Sequence, residues 1–208
     1  MPISTGGENN MSETLDTYGG PGSGNHGHEG RPGQVGGSGS GGGGSEDLKD
    51  AVMLYSHHRE NAEKIILASA NILSGQNSSQ LALQNEAQSI INAIRSQNAM
   101  DKTLMRGMSF EQPNELLRSL KVGDSFALNQ ISSFTEGYFY ADAYMRNAPG
   151  NYKYMFRLSG LSKTLPTDAL SGLGHTEHLT FGKFKVKKVW EQRPGEELLI
   201  DIVHEGII

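Results

Sequence analysis

The spacing of apolar residues changes once along the chain, near Thr103, and that change limits the folds open to it. Between Ser45 and Gln97 large apolar residues recur at helical intervals. Val52, Tyr55, Ile65, Ile66 and Ile72 form one run, and Leu83, Ala87, Ile90, Ile91 and Ile94 form another. "SEDL" at 45–48 places a capping serine and two acidic residues at the positive end of the first helix, which Gly75 closes. The second helix is expected from Ser78 or Ser79 to about Gln97. From Thr103 the apolar runs shorten and are broken by turns: "TLMRGMSF", "FALNQISSF", "YKYMFRLSG", "FGKFKVKKVW" and "LLIDIVHEG" read as strands. Residues 114–120 and 136–147 read as short helices among them. The expectation is an α+β fold, a mixed and mostly antiparallel β core behind a helical start. Two such helices cannot bury a core alone, so residues 46–99 are expected to pack on residues 100–208.

Residues 1–45 are glycine, serine and small polar residues with almost no large apolar side chain, too little to offset the entropy of ordering. They are expected to be a flexible tail. Its end, "GGSGSGGGGS" (Gly36–Ser45), has the composition of a tether, native or engineered. The preceding segment sets His26, His28, Arg31 and Pro32 among glycines and resembles a glycine-rich segment of tailed-bacteriophage head-associated proteins. Its glycines follow no strand, so they do not read as a phosphate-cradling loop.

Charge and composition narrow the function. The formal net charge of -5 and the pI near 5.8 argue against direct nucleic-acid binding, and the basic run Lys183, Lys185, Lys187, Lys188 is too short to reverse that. With no cysteine there is no disulfide framework and no thiolate nucleophile or ligand. His26 and His28 lack a third ligand nearby, and His57 and His58 diverge by about 100 degrees on a helix, so no metal site is expected. No apolar run reaches the ~18 residues of a membrane span, and the amino terminus lacks a signal-peptide layout; a cytoplasmic location is the expectation.

Individually, the polar residues of the β region are uninformative. Arg106 beside Gly107 reads as a strand-edge residue, Ser132 to Thr135 as turn chemistry, and Glu177 in "GHTEHLTFGKFKV" as the wet face of a strand. Their order carries more. "LMRGM", then "LKVGDSFALNQISSFTEGYFYADAYM", then "YKYMFRLSG", then "HTEHLTFGKFKVKKV" resembles the mono-ADP-ribosyltransferase superfamily of the arginine, serine, glutamate type, closest to versions attached to phage head proteins and to bacterial exoenzyme toxins. The resemblance covers roughly residues 100–204. Arg106 matches the family's first-strand arginine. Val122-Gly123-Asp124 and Ser133-Phe134-Thr135 match the turn and the serine-threonine-serine element. Ala141 and Tyr144 match the small helix that follows, and Glu177, Leu179, Gly182, Phe184 and Val186 match the glutamate strand.

The resemblance implies an NAD-dependent transfer of ADP-ribose to a host protein, with NAD as co-substrate and no metal. Cleaving nicotinamide from ribose passes through an oxocarbenium-like centre that a carboxylate stabilises, the role implied for Glu177. Ser133 would orient that carboxylate, and Thr135 would support the strand end. Arg106, followed by Gly107, would meet the pyrophosphate, and an aromatic among Phe134, Tyr138 and Phe139 would stack on nicotinamide. "LSGLG" (Leu170–Gly174) falls where the family keeps its substrate-recognition loop, with Gly174, His175 and Thr176 at its end. His175 departs from the pattern: arginine-modifying members carry Glu two positions before the catalytic Glu, and several others carry Gln. The imidazole either helps position or deprotonate a different acceptor, or shapes the loop rim of a domain that has lost activity. The resemblance also implies a phage-encoded protein acting in the host cytoplasm, its tail docking on the phage particle. Two other readings stay open: a virion structural or delivery protein carrying a degenerate transferase-like domain, and an NAD glycohydrolase.

Overall fold

The structure, a computed structural model, describes residues 9–10, 44–76, 82–172 and 177–208. The expected tail, apart from a two-residue strand, and the expected start of the second helix therefore lie outside the described residues. In chain order the elements are β1 (Asn9–Asn10), α1 (Gly44–His57), α2 (Arg59–Leu73), α3 (Gln84–Ser96), β2 (Met100–Asp101), β3 (Leu104–Phe110), α4 (Glu115–Ser119) and β4 (Ser125–Thr135). Next come α5 (Tyr138–Asn147), β5 (Tyr152–Leu158), β6 (Leu161–Ser162), β7 (Leu165–Pro166), α6 (Asp168–Ser171), β8 (Glu177–Arg193) and β9 (Glu197–Gly206). Among the described residues no helix is long and apolar enough to cross a membrane.

The helix expected to end at Gly75 is two helices. His58 takes an extended conformation (φ -131, ψ 103) between α1 and α2. The apolar spacing does not register a one-residue break, because α2 resumes a buried stripe at Ala62, Ile65 and Ala68 almost in phase with Ala51, Val52 and Tyr55 of α1. The two short helices expected at 114–120 and 136–147 appear as α4 and α5. Asn114 caps α4 by accepting from the Leu117 amide at 3.0 Å.

Seven strands run in the order β1-β4-β3-β5-β9-β8-β7, and β4 also pairs with β8, so the sheet turns back on itself. β4 meets β3 only at Met105↔Thr135, while it runs antiparallel to β8 from Ser125↔Lys185 to Thr135↔Glu177. Most pairings are antiparallel as expected; β5 with β9 and β1 with β4 are parallel.

Strand alternation sorts side chains into two cores. Phe126, Phe134, Phe156 and Phe184 stack inside the turned sheet, with Leu104, Val186 and Ile202 around them. On the outer side, α1, α2 and α3 press Val52, Ile65, Ile90 and Ile94 against Ile131, Leu179 and Phe181. β8 is therefore buried on both faces from Glu177 to Gly182. Beyond the helices its outward residues, Lys183, Lys185 and Lys187, are exposed. On β3, Gly107 lets α5 approach closely: a Cβ there would lie 2.3 Å from the Ala141 carbonyl oxygen and 2.8 Å from Met145 Cβ.

Candidate active site

Glu177 is the first residue of β8 and only 1% exposed. Its alternation partners Leu179 and Phe181 lie under the helices, so its carboxylate points the same way. On β4, Ile131 lies on that side and Phe134 on the inner side, which turns Ser133 outward with Ile131. Ser133 opposes Leu179 and Thr135 opposes Glu177, so Ser133 is the diagonal neighbour of the carboxylate. Ser133 Oγ donates to Glu177 Oε1 at 2.5 Å. Glu177 Oε2 accepts from Ser56 Oγ of α1 at 3.0 Å and from Thr167 Oγ1 at 3.1 Å. Three hydroxyls thus replace the water that burial removes from this carboxylate.

Arg106, 5% exposed, comes from β3 and donates from Nη1 to the Ser133 carbonyl oxygen at 2.9 Å. Burial lowers the guanidinium pKa, and the Tyr55 and Tyr144 phenols and the Glu177 carboxylate oppose that; an arginine nonetheless stays charged in a folded protein. Burial, with Glu177 nearby, raises the Tyr55 phenol well above its ordinary range, so it stays a neutral hydroxyl. Tyr55 Oη is buried with no hydrogen-bond partner among the described residues. The site therefore holds one fixed cation, one fixed carboxylate and a spare hydroxyl, drawn from α1, β3, β4, β8 and the turn into α6.

No family model and no curated protein sequence matches the chain. Solved structures do. The Vis toxin, an ADP-ribosyltransferase from Vibrio splendidus, superposes with a TM-score of 0.55 at 14% identity, over 76% of this chain and 72% of that one. An ADP-ribosyltransferase from Clostridium botulinum gives 0.55 at 14% identity over 78% and 88%, and the C3 exoenzyme of Clostridium limosum gives 0.54 at 15% over 78% and 86%. The chain has the ADP-ribosyltransferase fold. Residues 100–208 are only about half of the chain, so a cover of 76% takes in the helices as well. The likeness is thus wider than the sequence resemblance.

Within the ADP-ribosyltransferase fold the expected site residues separate. Arg106, Ser133 and Glu177 converge as described. Thr135 is half-buried, two residues beyond Ser133 on the same strand, its Oγ1 accepting from the Gly137 amide at 3.4 Å. Tyr138 and Phe139 stand exposed at the start of α5, 47% and 76%. One expectation is corrected. Phe134 cannot stack on a ligand, because alternation turns its ring into the inner core against Phe184, 6.5 Å between centroids. At Gly107 α5 occupies the space a side chain would take. Gly174, His175 and Thr176, with His26 and His28, lie outside the described residues. Among the described residues no three His, Cys, Asp or Glu side chains gather as metal ligands.

Four site residues were not expected in these roles. Tyr55 reads in sequence as a core position, and Ser56, the residue after it, carries no signal of its own. Tyr144 reads only as an aromatic of the small helix, and Thr167 lies in a turn. The helical period marks Tyr55 as core only and points to none of the other three, because they come near Glu177 and Arg106 through tertiary packing. His57 adds to this: its Nε2 donates to the Ser171 carbonyl oxygen at 2.6 Å, fastening the end of α1 to α6.

On the opposite side of β8, His178 is fully buried between Glu136 and Thr164. Burial lowers its pKa, so the ring is neutral near pH 7. A carboxylate only accepts, so Nε2 carries the proton toward Glu136 Oε1 at 2.9 Å, and Nδ1 accepts from Thr164 Oγ1 at 3.0 Å. Lys102 pairs with the same Glu136 oxygen. This chain ties the residue after Glu177 to the link between β4 and α5.

Proposed function

We propose that the chain is an NAD-dependent mono-ADP-ribosyltransferase that breaks the bond between nicotinamide and ribose and joins the ADP-ribose to a protein side chain. The observation that carries this reading is the convergence of Glu177 and Arg106 on one residue, Ser133, which binds the first through its hydroxyl and the second through its carbonyl. The donor set suits a dinucleotide: a guanidinium for pyrophosphate, a carboxylate for ribose, and an unpartnered buried hydroxyl on Tyr55.

NAD supplies a positively charged leaving group, so nicotinamide departs with the bonding pair and needs no proton. Positive charge then develops on the ribose ring, and the Glu177 carboxylate stabilises it from a fixed position in a site of low dielectric. Ser133 holds one carboxylate oxygen, so little reorganisation is needed as charge grows. Arg106 holds the pyrophosphate end and keeps the leaving bond in register. An acceptor side chain adds to the ribose carbon and gives up its proton. Vis has been solved with agmatine, a guanidinium compound. Here the place two before Glu177 holds His175, which favours a non-arginine acceptor.

The test is incubation with labelled NAD and a cell lysate. Protein labelling by the wild type and none by Glu177→Ala supports the reading; equal labelling by both overturns it. Free nicotinamide without labelled protein would instead mark a glycohydrolase.

A further inference from the structure

The two oxygens of Glu177 are not equivalent. Oε2 faces two hydroxyls: Ser56 Oγ at 3.0 Å, and Thr167 Oγ1 at 3.1 Å, whose single proton is shared with the Glu177 main-chain carbonyl at 3.3 Å, so both in-plane lone pairs of Oε2 have a donor beside them. Among the described residues Oε1 accepts from Ser133 and keeps one lone pair open. Ser56 and Thr167 sit on elements that are themselves fixed. The last turn of α1 is fastened by His57 to Ser171, and the Thr167 amide donates to the Glu177 carbonyl at 2.9 Å. Ser56 is 7% exposed and Thr167 fully buried, so neither hydroxyl is held by solvent. A carboxylate gripped by two donors on one oxygen cannot rotate about its last bond without breaking both.

We infer that Ser56 and Thr167 are positioning residues that saturate Glu177 Oε2, fix the carboxylate plane, and leave Oε1 as the oxygen that faces the reacting ribose; this rests on the transferase reading above. It also makes α1 part of the active site rather than a prop for the β core. Neither residue touches the reacting atoms. Their effect should therefore appear where charge develops on the ribose and not where the ground-state nucleotide binds.

Two ligands separate these effects, and neither requires turnover. One is ADP-ribose. The other is an ADP analogue whose ribose is replaced by a cationic pyrrolidine ring, which carries the charge of the transition state. Calorimetric titration of the full chain reads each Kd independently of the folded fraction. Ser56→Ala should weaken the cationic analogue about tenfold and leave ADP-ribose within about twofold, with a matching fall in kcat at unchanged KM for NAD. Ser56→Thr, which restores a hydroxyl, should recover most of the loss, and Thr167→Val should reproduce it. If Ser56→Ala does not fold, Thr167→Val reads the same pair of constants. Equal affinity of wild type and variants for the cation, or equal weakening of both ligands, overturns the positioning role and leaves the transferase reading standing. Failure of the wild type to bind either ligand overturns both.

Discussion

Ser133 Oγ and Glu177 Oε1 meet at 2.5 Å from diagonal positions of the β4–β8 ladder, although 44 residues separate them in the chain. The same serine's carbonyl takes the Arg106 guanidinium. Ser133→Ala removes the hydroxyl contact and keeps the carbonyl one. Nicotinamide release should fall roughly ten- to a hundredfold, less than for a donor acting on the transition state directly. Leaving Oε1 without a donor should cost about 1–3 kcal/mol, read as a lower urea midpoint. Wild-type turnover in this variant would remove Ser133 from the site.

Arg106→Lys keeps the charge but not the planar fork. A lysine cannot hold the Ser133 carbonyl and a pyrophosphate with fixed, separate donors. KM for NAD should rise on the order of tenfold or more, with a smaller change in kcat. An unchanged KM would mean the guanidinium serves the fold alone.

Gly107→Ala tests the helix-to-strand approach. Its Cβ would stand 2.3 Å from the Ala141 carbonyl oxygen, a backbone atom that cannot swing aside. Overpacking of this kind costs about 1–3 kcal/mol, so thermal unfolding should drop by several degrees. Unchanged unfolding would show that α5 shifts freely.

The fold and the candidate site were legible in the sequence to different depths. The switch of period near Thr103 pointed to the α+β class, and Arg106, Ser133 and Glu177 stood in an order that carries the transferase resemblance. What stayed hidden was tertiary. The break at His58 leaves no mark in a stripe that resumes in phase. The identical appearance of Ser133 and Phe134 as neighbours in a motif concealed that alternation sends one to the carboxylate and the other to the core. Ser56 and Thr167 are unremarkable until α1 and the turn before α6 are laid over β8.

Acid should destabilise the protein before its carboxylates protonate. Burial lowers both His178 and His204 from an ordinary 6.5. Between that value and the lower folded value the unfolded chain binds more protons, so stability falls as pH falls through this window. Around His178, Glu136 and Asp168 oppose the lowering and Lys102 adds to it; Lys163 adds to that of His204. Glu136, lowered by its bonds to Lys102 and His178, contributes a second loss only below its ordinary 4.5. Urea midpoints should be level from about pH 7 to 8 and decline as the pH falls below about 6.5, and His178→Gln should flatten part of that decline. A midpoint that rises on acidification would contradict the neutral buried ring.

The most direct measurement is nicotinamide release from NAD by the wild type and by Glu177→Gln, which keeps the shape of the side chain and removes its charge. The two proteins should unfold with free energies equal to within about 1 kcal/mol, since the amide oxygen in the Oε2 place still accepts from Ser56 and Thr167 while Ser133 Oγ turns to accept from the amide nitrogen. Turnover by the wild type that falls by at least about a thousandfold in the variant is the predicted result. Equal turnover in both, or none in a folded wild type supplied with NAD and acceptor protein, would contradict the account.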